Sequence, residues 1–180
     1  ISIYYNGQSG ERYSYVYNDY GNMNGNGESD NNLIYIPASS SEIVLTSDNW
    51  NELDQFIKDD KYLSEHRGEY AGRNGARLPF SNLVDLKIAQ DVFLTAGGRR
   101  HTLQVTFDIF NLTNLLNYDW GRRYYMSNDA FKMLSFEGFD TDGTTPTFSF
   151  NKPDGDIWSI DDSGFRSSRW QAQLGIRYIF

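Results

Sequence analysis

The chain has 180 residues, a net charge of −8 and no cysteine, with a mean hydropathy of −0.61. Without cysteine there are no disulfide staples or thiolate metal sites, and the acidic balance argues against a nucleic-acid partner, whose phosphates call for a basic surface. No run approaches the roughly 18 apolar residues of a membrane-spanning helix, while 13 Tyr, 12 Phe and 16 Gly suit a β protein whose strands are apolar on one side.

Taken in order, ISIYY (1–5) reads as the end of a strand rather than a leader, and for an exported protein the chain is then expected to be a C-terminal fragment. NGQSG (6–10) is turn material. ERYSYVY (11–17) then sets Tyr13, Tyr15 and Tyr17 on one parity, the pattern of an exposed ladder in a soluble sheet or, as the later strands favour, of an interfacial aromatic belt in a barrel. Residues 18–32 are rich in Asn, Gly and Asp and read as an exposed loop. Leu33 to Ile36 and Ile43 to Leu45 are expected as short strands or packed loop segments. Ser47 to His66 is the helix candidate, with Ser47 or Asp48 as cap and Trp50, Leu53, Phe56, Ile57 and Leu63 as its stripe.

After RGEYAGRNGARLPF (67–80), alternation returns. Val84, Leu86, Ile88 and Val92 share one parity, against Asp85, Lys87 and Asp91 on the other, with Gln90 interrupting the apolar side. TAGGRR (95–100) predicts a tight turn. Leu103, Val105, Phe107 and Ile109 then oppose Gln104, Thr106 and Asp108. Residues 113–166 form a second long irregular stretch, in which DTDG and PDGD read as turns rather than calcium loops. The chain ends on RWQAQLGIRYIF, where Trp170, Ala172, Leu174, Ile176, Tyr178 and Phe180 alternate with Gln171, Gln173, Gly175 and Arg177, leaving Ile179 as the exception. Twelve residues at about 3.3 Å each make roughly 40 Å, enough for a tilted strand to cross a bilayer.

Long alternating strands, short turns at one end and long connections at the other are the pattern of an outer-membrane barrel. The expected fold is therefore all-β: about five final strands of an antiparallel transmembrane β-barrel, near 1–5, 11–17, 80–95, 101–112 and 167–180. The connections 18–79 and 113–166 would be extracellular loops, the first holding a short helix. Of the 24 acidic residues, 20 lie in these two stretches, together with 10 of the 16 basic ones.

FDIFNLTNLLNYDWG (107–121), followed by SRWQAQLGIRYIF (168–180), resembles the C-terminal end of TonB-dependent outer-membrane receptors, closest to the Oar-like branch common in Bacteroidetes. RNGARLP (73–79) before an inward-running strand is similar to that family as well. The resemblance implies energised uptake of a ligand across the bacterial outer membrane. It also implies a plug and N-terminal domains that are absent from this sequence, the TonB complex reached through that absent part, and the barrel-assembly machinery reading Phe180 as an assembly signal. Further partners would be the remainder of the barrel, outer-membrane lipid, and possible surface lipoproteins or other subunits. The alternative is a non-transporting barrel serving as adhesin or anchor for a surface complex. With a periplasmic C-terminus, the apolar parities face lipid and the polar ones line the lumen: Asp85, Lys87, Asp91, Gln104, Thr106, Asp108, Gln171, Gln173 and Arg177.

No catalytic set emerges. His66 and His101 lack the spacing of a triad or metal site, and the carboxylates lie in loops without apolar surroundings to separate their pKa values. No enzyme activity, metal or cofactor is expected.

Overall fold

The computed structural model describes residues 1–20, 23–25, 27, 31–163 and 168–180. Parts of the Asn/Gly/Asp-rich stretch 18–32 and of DDSGFRSS, and the first residue of the strand expected over 167–180, lie outside the described residues. The elements in order are β1 (Ser2–Gln8), β2 (Arg12–Asn18), β3 (Tyr35–Ile36), β4 (Val44–Leu45), α1 (Trp50–Asp59), α2 (Lys61–Glu65), β5 (Glu69–Tyr70) and β6 (Ala76–Arg77). They continue with β7 (Ser81–Ala96), β8 (Arg99–Phe110), α3 (Leu112–Leu116), β9 (Tyr124–Tyr125), β10 (Ala130–Phe139), β11 (Pro146–Phe150), β12 (Ser159–Ile160) and β13 (Gln171–Ile179). The protein is mostly β, none of its described helices is long and apolar enough to cross a membrane, and its sheets are not closed into a barrel. Two compact units divide it: 1–10 with 79–124 and 160–180, and 11–78 with 125–159.

The first unit is a long antiparallel sheet in the order β1-β7-β8-β13. β7 has 16 residues and β8 has 12, well beyond the five or six typical of soluble sheets. They join through Gly97 and Gly98, at φ 58° and 75°. A two-residue hairpin of type I′ needs positive φ at both positions, which a pair of glycines supplies without steric cost. Ala96 and Arg99 close the turn, and the register then runs unbroken to Leu86 opposite Ile109.

Here the sheet departs from the expected five strands. β1 does not stop at residue 5; it continues through Asn6 and Gly7 to Gln8, pairing with Leu83, Asn82 and Ser81. NGQSG is thus largely strand, because β7 offers it a complete hydrogen-bonding edge. β1 and β7 are neighbours, so the sheet has four strands, not five. β8 ends at Phe110 rather than 112, where α3 begins, and β13 covers Gln171–Ile179 rather than 167–180.

The stretch 11–17, expected as a fifth strand with an aromatic belt, belongs to the second unit as β2. Its residues Tyr13 to Tyr17 are all buried. The two long connections are likewise more than irregular loops. They supply a mixed sheet in the order β4-β11-β10-β2-β6, with β10 and β11 antiparallel and β2 parallel to β10. Parallel pairing between segments more than a hundred residues apart leaves no local signature.

The expected helix forms as two, α1 and α2, separated at Asp60, whose extended backbone (φ −84°, ψ 125°) breaks the first and starts the second. Asp60 Oδ1 accepts the Leu63 amide at 2.8 Å and so caps α2. Asn49, rather than Ser47 or Asp48, precedes α1, and its side chain makes no cap bond. A ten-residue helix is marginal alone; burial holds it. Leu53, Ile57 and Leu63 are fully buried, each contributing about 2 kcal/mol.

The tyrosine column of β2 is the core of this unit. Tyr15 stacks on Tyr62 at 6.2 Å and meets Phe131 edge-on at 5.9 Å, while Tyr17 stacks on Phe148 at 5.0 Å. Tyr15 donates from its hydroxyl to Asp60 Oδ2 at 2.7 Å, and its oxygen lies 3.1 Å from that of Tyr13. Burial and the neighbouring Asp60 carboxylate push the Tyr15 phenol far above its ordinary range, and burial raises Tyr13 to about 12. A phenol with a raised folded-state pKa contributes stability that is complete below the unfolded value near 10 and is lost as pH rises through the folded value. Two outcomes are expected. Tyrosinate absorbance should rise in a late phase above pH 10 that coincides with loss of this unit's near-ultraviolet dichroism. Tyr15→Phe should destabilise the unit by about 1–3 kcal/mol in denaturant melts, because it strips a buried partner from Asp60.

Candidate functional site: a two-faced sheet and its asparagine clip

Because side chains alternate along each strand, the register decides which of them share a face. In the long sheet, Ile3, Leu86, Ile109 and Ala172 form one cross-strand row, followed by Ile88, Phe107 and Leu174, then Gln90, Val105 and Ile176, then Val92, Leu103 and Tyr178. Nearly all of that face is hydrocarbon. It is also open: Leu94, Leu174 and Ile176 are 66%, 67% and 70% exposed. By contrast, the second unit has its own buried core.

Aromatic groups stand near both ends of the apolar rows. At the turn end, His101 and Tyr178 stack at 5.8 Å with His101 Nδ1 2.6 Å from the tyrosine oxygen, and Tyr178 stacks on Phe180 at 5.8 Å. At the other end are Tyr5, opposite Val84, and Trp170 at the entry to β13.

The nine polar residues singled out from the sequence all fall on the opposite face, and the rows show which of them meet. Lys87 pairs with Asp108 (Nζ–Oδ1 3.3 Å) beside Gln173. Gln104 donates to Asp91 Oδ1 at 2.9 Å and lies directly between Asp91 and Arg177. Thr106 Oγ donates to the Gly175 carbonyl at 3.4 Å. Gln171 lies opposite Phe110, apart from the charged rows. Arg177 makes no ion pair among the described residues. Phe93, with Arg100 lying 3.7 Å over its ring, and Ile179 are among the apolar residues on this side, as are Phe110 opposite Gln171 and Tyr4 opposite Asp85.

Asp85 has a different role. Its Oδ1 accepts the backbone amide of Asn111 at 2.8 Å, where β8 gives way to α3. Asn111 sits in the left-handed region at φ 55°, which asparagine tolerates better than other side-chain-bearing residues, and it is almost fully buried. Its Nδ2 donates to the carbonyls of Gly121 and Ser168, both at 2.8 Å, and its Oδ1 accepts from Thr113 Oγ at 2.8 Å. A Cβ on Gly121 would lie 2.0 Å from Asn111 Oδ1, and Gly121 itself has φ 63°; only glycine fits. Asn114 repeats the device, donating to the carbonyls of Tyr118 and Trp120 and accepting from the Trp170 amide at 3.3 Å. The NLTN motif thus ties the exit of β8 to the entry of β13. Its two asparagines were legible as a motif, but not as a clip, because the groups they satisfy lie up to 57 residues away.

Searches against protein-family models, curated proteins and solved structures return no match to this chain.

The clip separates two energetic contributions. Asn111→Gly should lower the denaturant midpoint through loss of the side-chain bonds alone. Asn111→Ala should lose about 1 kcal/mol more, because alanine also resists the left-handed backbone. Equal losses would show that the backbone conformation carries no cost.

Proposed function

We propose that this chain is the C-terminal part of a TonB-dependent outer-membrane receptor barrel, serving energised uptake of a ligand across the bacterial outer membrane. The observation that carries the membrane part of this reading is the aligned, exposed apolar face. From Val84 to Leu94 the apolar rows span ten residue steps, about 33 Å of strand. At a strand tilt of about 40° that is roughly 25 Å of height, the apolar band of a membrane barrel. Aromatic rings near the two ends of the band fit interfacial girdles. An exposed hydrocarbon face of this extent is unfavourable in water and natural in lipid.

The polar reverse face suits a water-filled or plug-filled lumen. Lys87 or Arg177 turned to lipid near the midplane would cost roughly 2–4 kcal/mol. β1 and β13 each present an unpaired edge, which hydrocarbon does not tolerate, so further strands of the barrel must pair with both. Connectivity fits the direction. The residues leading into both long excursions, Gln8 opposite Ser81 and Phe110 opposite Gln171, lie at the strand ends away from the Gly97–Gly98 turn. That arrangement is consistent with a periplasmic turn and extracellular excursions. The family-level assignment rests on the NLTN segment and the closing aromatic strand.

A second reading is a barrel without transport, displaying the second unit as an adhesin or anchor for a surface complex. The unit's own buried core favours it, since a purely connecting loop needs none.

The membrane reading predicts that the protein partitions with outer membranes and shifts mobility on denaturing gels when boiled. Recovery in the soluble fraction, with mobility indifferent to heating, would contradict it. Lysine at Leu174 should impair assembly far more than lysine at Gln173, since the adjacent residues point to opposite faces; equal tolerance would overturn the face assignment. Deleting Phe180 should lower surface levels if it serves as the assembly signal.

A further inference from the structure

Among the described residues of β1, β7, β8 and β13, the apolar face of the long sheet carries one charged side chain, Arg99. It lies opposite Ala96 in the row next to the turn, beyond the same-face pairs Leu94–His101 and Val92–Leu103. Arg100, opposite Thr95, falls on the polar side, where it lies over the Phe93 ring. Arg99 is exposed and makes no ion pair among the described residues. A charge standing alone at the rim of a hydrocarbon surface calls for an account.

A concavity of about 470 Å³ begins at the cross-strand partner of Arg99 and is lined by Val92, Leu94, Ala96, His101, Leu103 and Tyr178. From Ala96 to Val92 it follows about 13 Å of strand, or roughly 10 Å of height at a tilt of about 40°. That length fits inside one leaflet, half of a hydrocarbon core about 30 Å thick. Its polar atoms collect at the turn end, where His101 Nδ1 lies 2.6 Å from the Tyr178 oxygen. A phenol donating to Nδ1 leaves the imidazole proton on Nε2, a second donor two positions along the strand from Arg99. Charge here has one sign: residues 92–107 and 170–180 contain no Asp or Glu but hold Arg99, Arg100 and Arg177. In a chain of net charge −8, this end of the sheet is a local reversal.

We infer that this concavity holds one anionic glycerophospholipid, with an acyl chain along Val92, Leu94 and Leu103 and its phosphate on Arg99 and His101. The inference rests on the membrane reading above and names a specific lipid contact within it. A guanidinium engages a phosphate through paired, charge-assisted bonds. A zwitterionic headgroup is the poorer partner, because its own ammonium competes for the phosphate. The simpler role of a lone arginine here is to lay its stem on the apolar surface and keep its head in water. That role does not sort lipids by headgroup.

The test is titration of the full chain in dodecyl maltoside micelles with dioleoyl phosphatidylglycerol and with dioleoyl phosphatidylcholine, bound lipid being counted by native mass spectrometry. Phosphatidylglycerol should bind about fivefold more tightly, the scale of one basic residue against an anionic lipid. Arg99→Gln should abolish that preference, and Arg99→Lys should keep part of it. Arg100→Gln removes the same charge one residue away on the other face and should leave the preference within about twofold, since only Arg99 shares a face with the concavity. Leu94→Ser should weaken both lipids alike. Equal binding of the two lipids, equal losses in Arg99→Gln and Arg100→Gln, or displacement of phosphatidylglycerol by equimolar inorganic phosphate would overturn the lipid site alone. A chain that stays soluble without detergent and holds neither lipid would overturn the membrane reading and the site with it.

Discussion

The register set at the Gly97–Gly98 turn is the constraint on which the long sheet depends. Side chains on a strand repeat every two residues, so a slip of one between β7 and β8 would exchange their faces completely. Lys87 and Asp108 would then lie among the leucines. A glycine pair closing a two-residue turn leaves no slack for such a slip. Once β7 and β8 are aligned, β1 and β13 extend the same alternation outward, and the apolar rows run across the sheet. The asparagine clip acts at the other end, where β8 must leave the sheet and β13 must enter it. There, one buried asparagine satisfies carbonyls from two distant segments and donates its backbone amide to the Asp85 carboxylate on β7.

The two units solve opposite problems with similar residue types. In the second unit, tyrosines and phenylalanines turn inward, and each buried phenol oxygen finds a partner, as Tyr15 does in Asp60 and Tyr17 in the Tyr35 amide at 3.0 Å. In the long sheet, comparable rings stand exposed at the ends of an apolar band. Composition cannot separate these cases, because a buried ring and an exposed ring have the same hydropathy. Charge does separate the units: the second is net −10 and the first net +2, the long sheet's charges being interspersed along its polar face.

Much of the long sheet was legible from residue order. The alternations of 84–92, 103–109 and 170–180, and the glycine pair between the first two, are local patterns, and local patterns are what a strand and its turn require. The stripe Leu53, Ile57 and Leu63 was equally readable as the buried face of a helix. What misled was 11–17. Tyr13, Tyr15 and Tyr17 on one parity describe a belt and a core strand equally well, and the choice rests on partners. Those partners, β10 and β6, flank β2 and come from segments that have no strong alternation of their own. Similarly, NGQ reads as turn by composition but is strand because β7 supplies a full edge for it to pair with.

The sequence by itself determined the strand class, the faces of β7, β8 and β13, the tight turn between the first two, and the position of the helix candidate. Each depends on residues within a few positions of one another. Only the tertiary structure decided that the sheet has four strands, that the long connections build a unit with its own core, and that Asn111 and Asn114 clip two strands together. Each of these needs groups tens of residues apart to meet, and the free energy that brings them together comes from burial and satisfied polar groups in three dimensions, which leave no period in the chain.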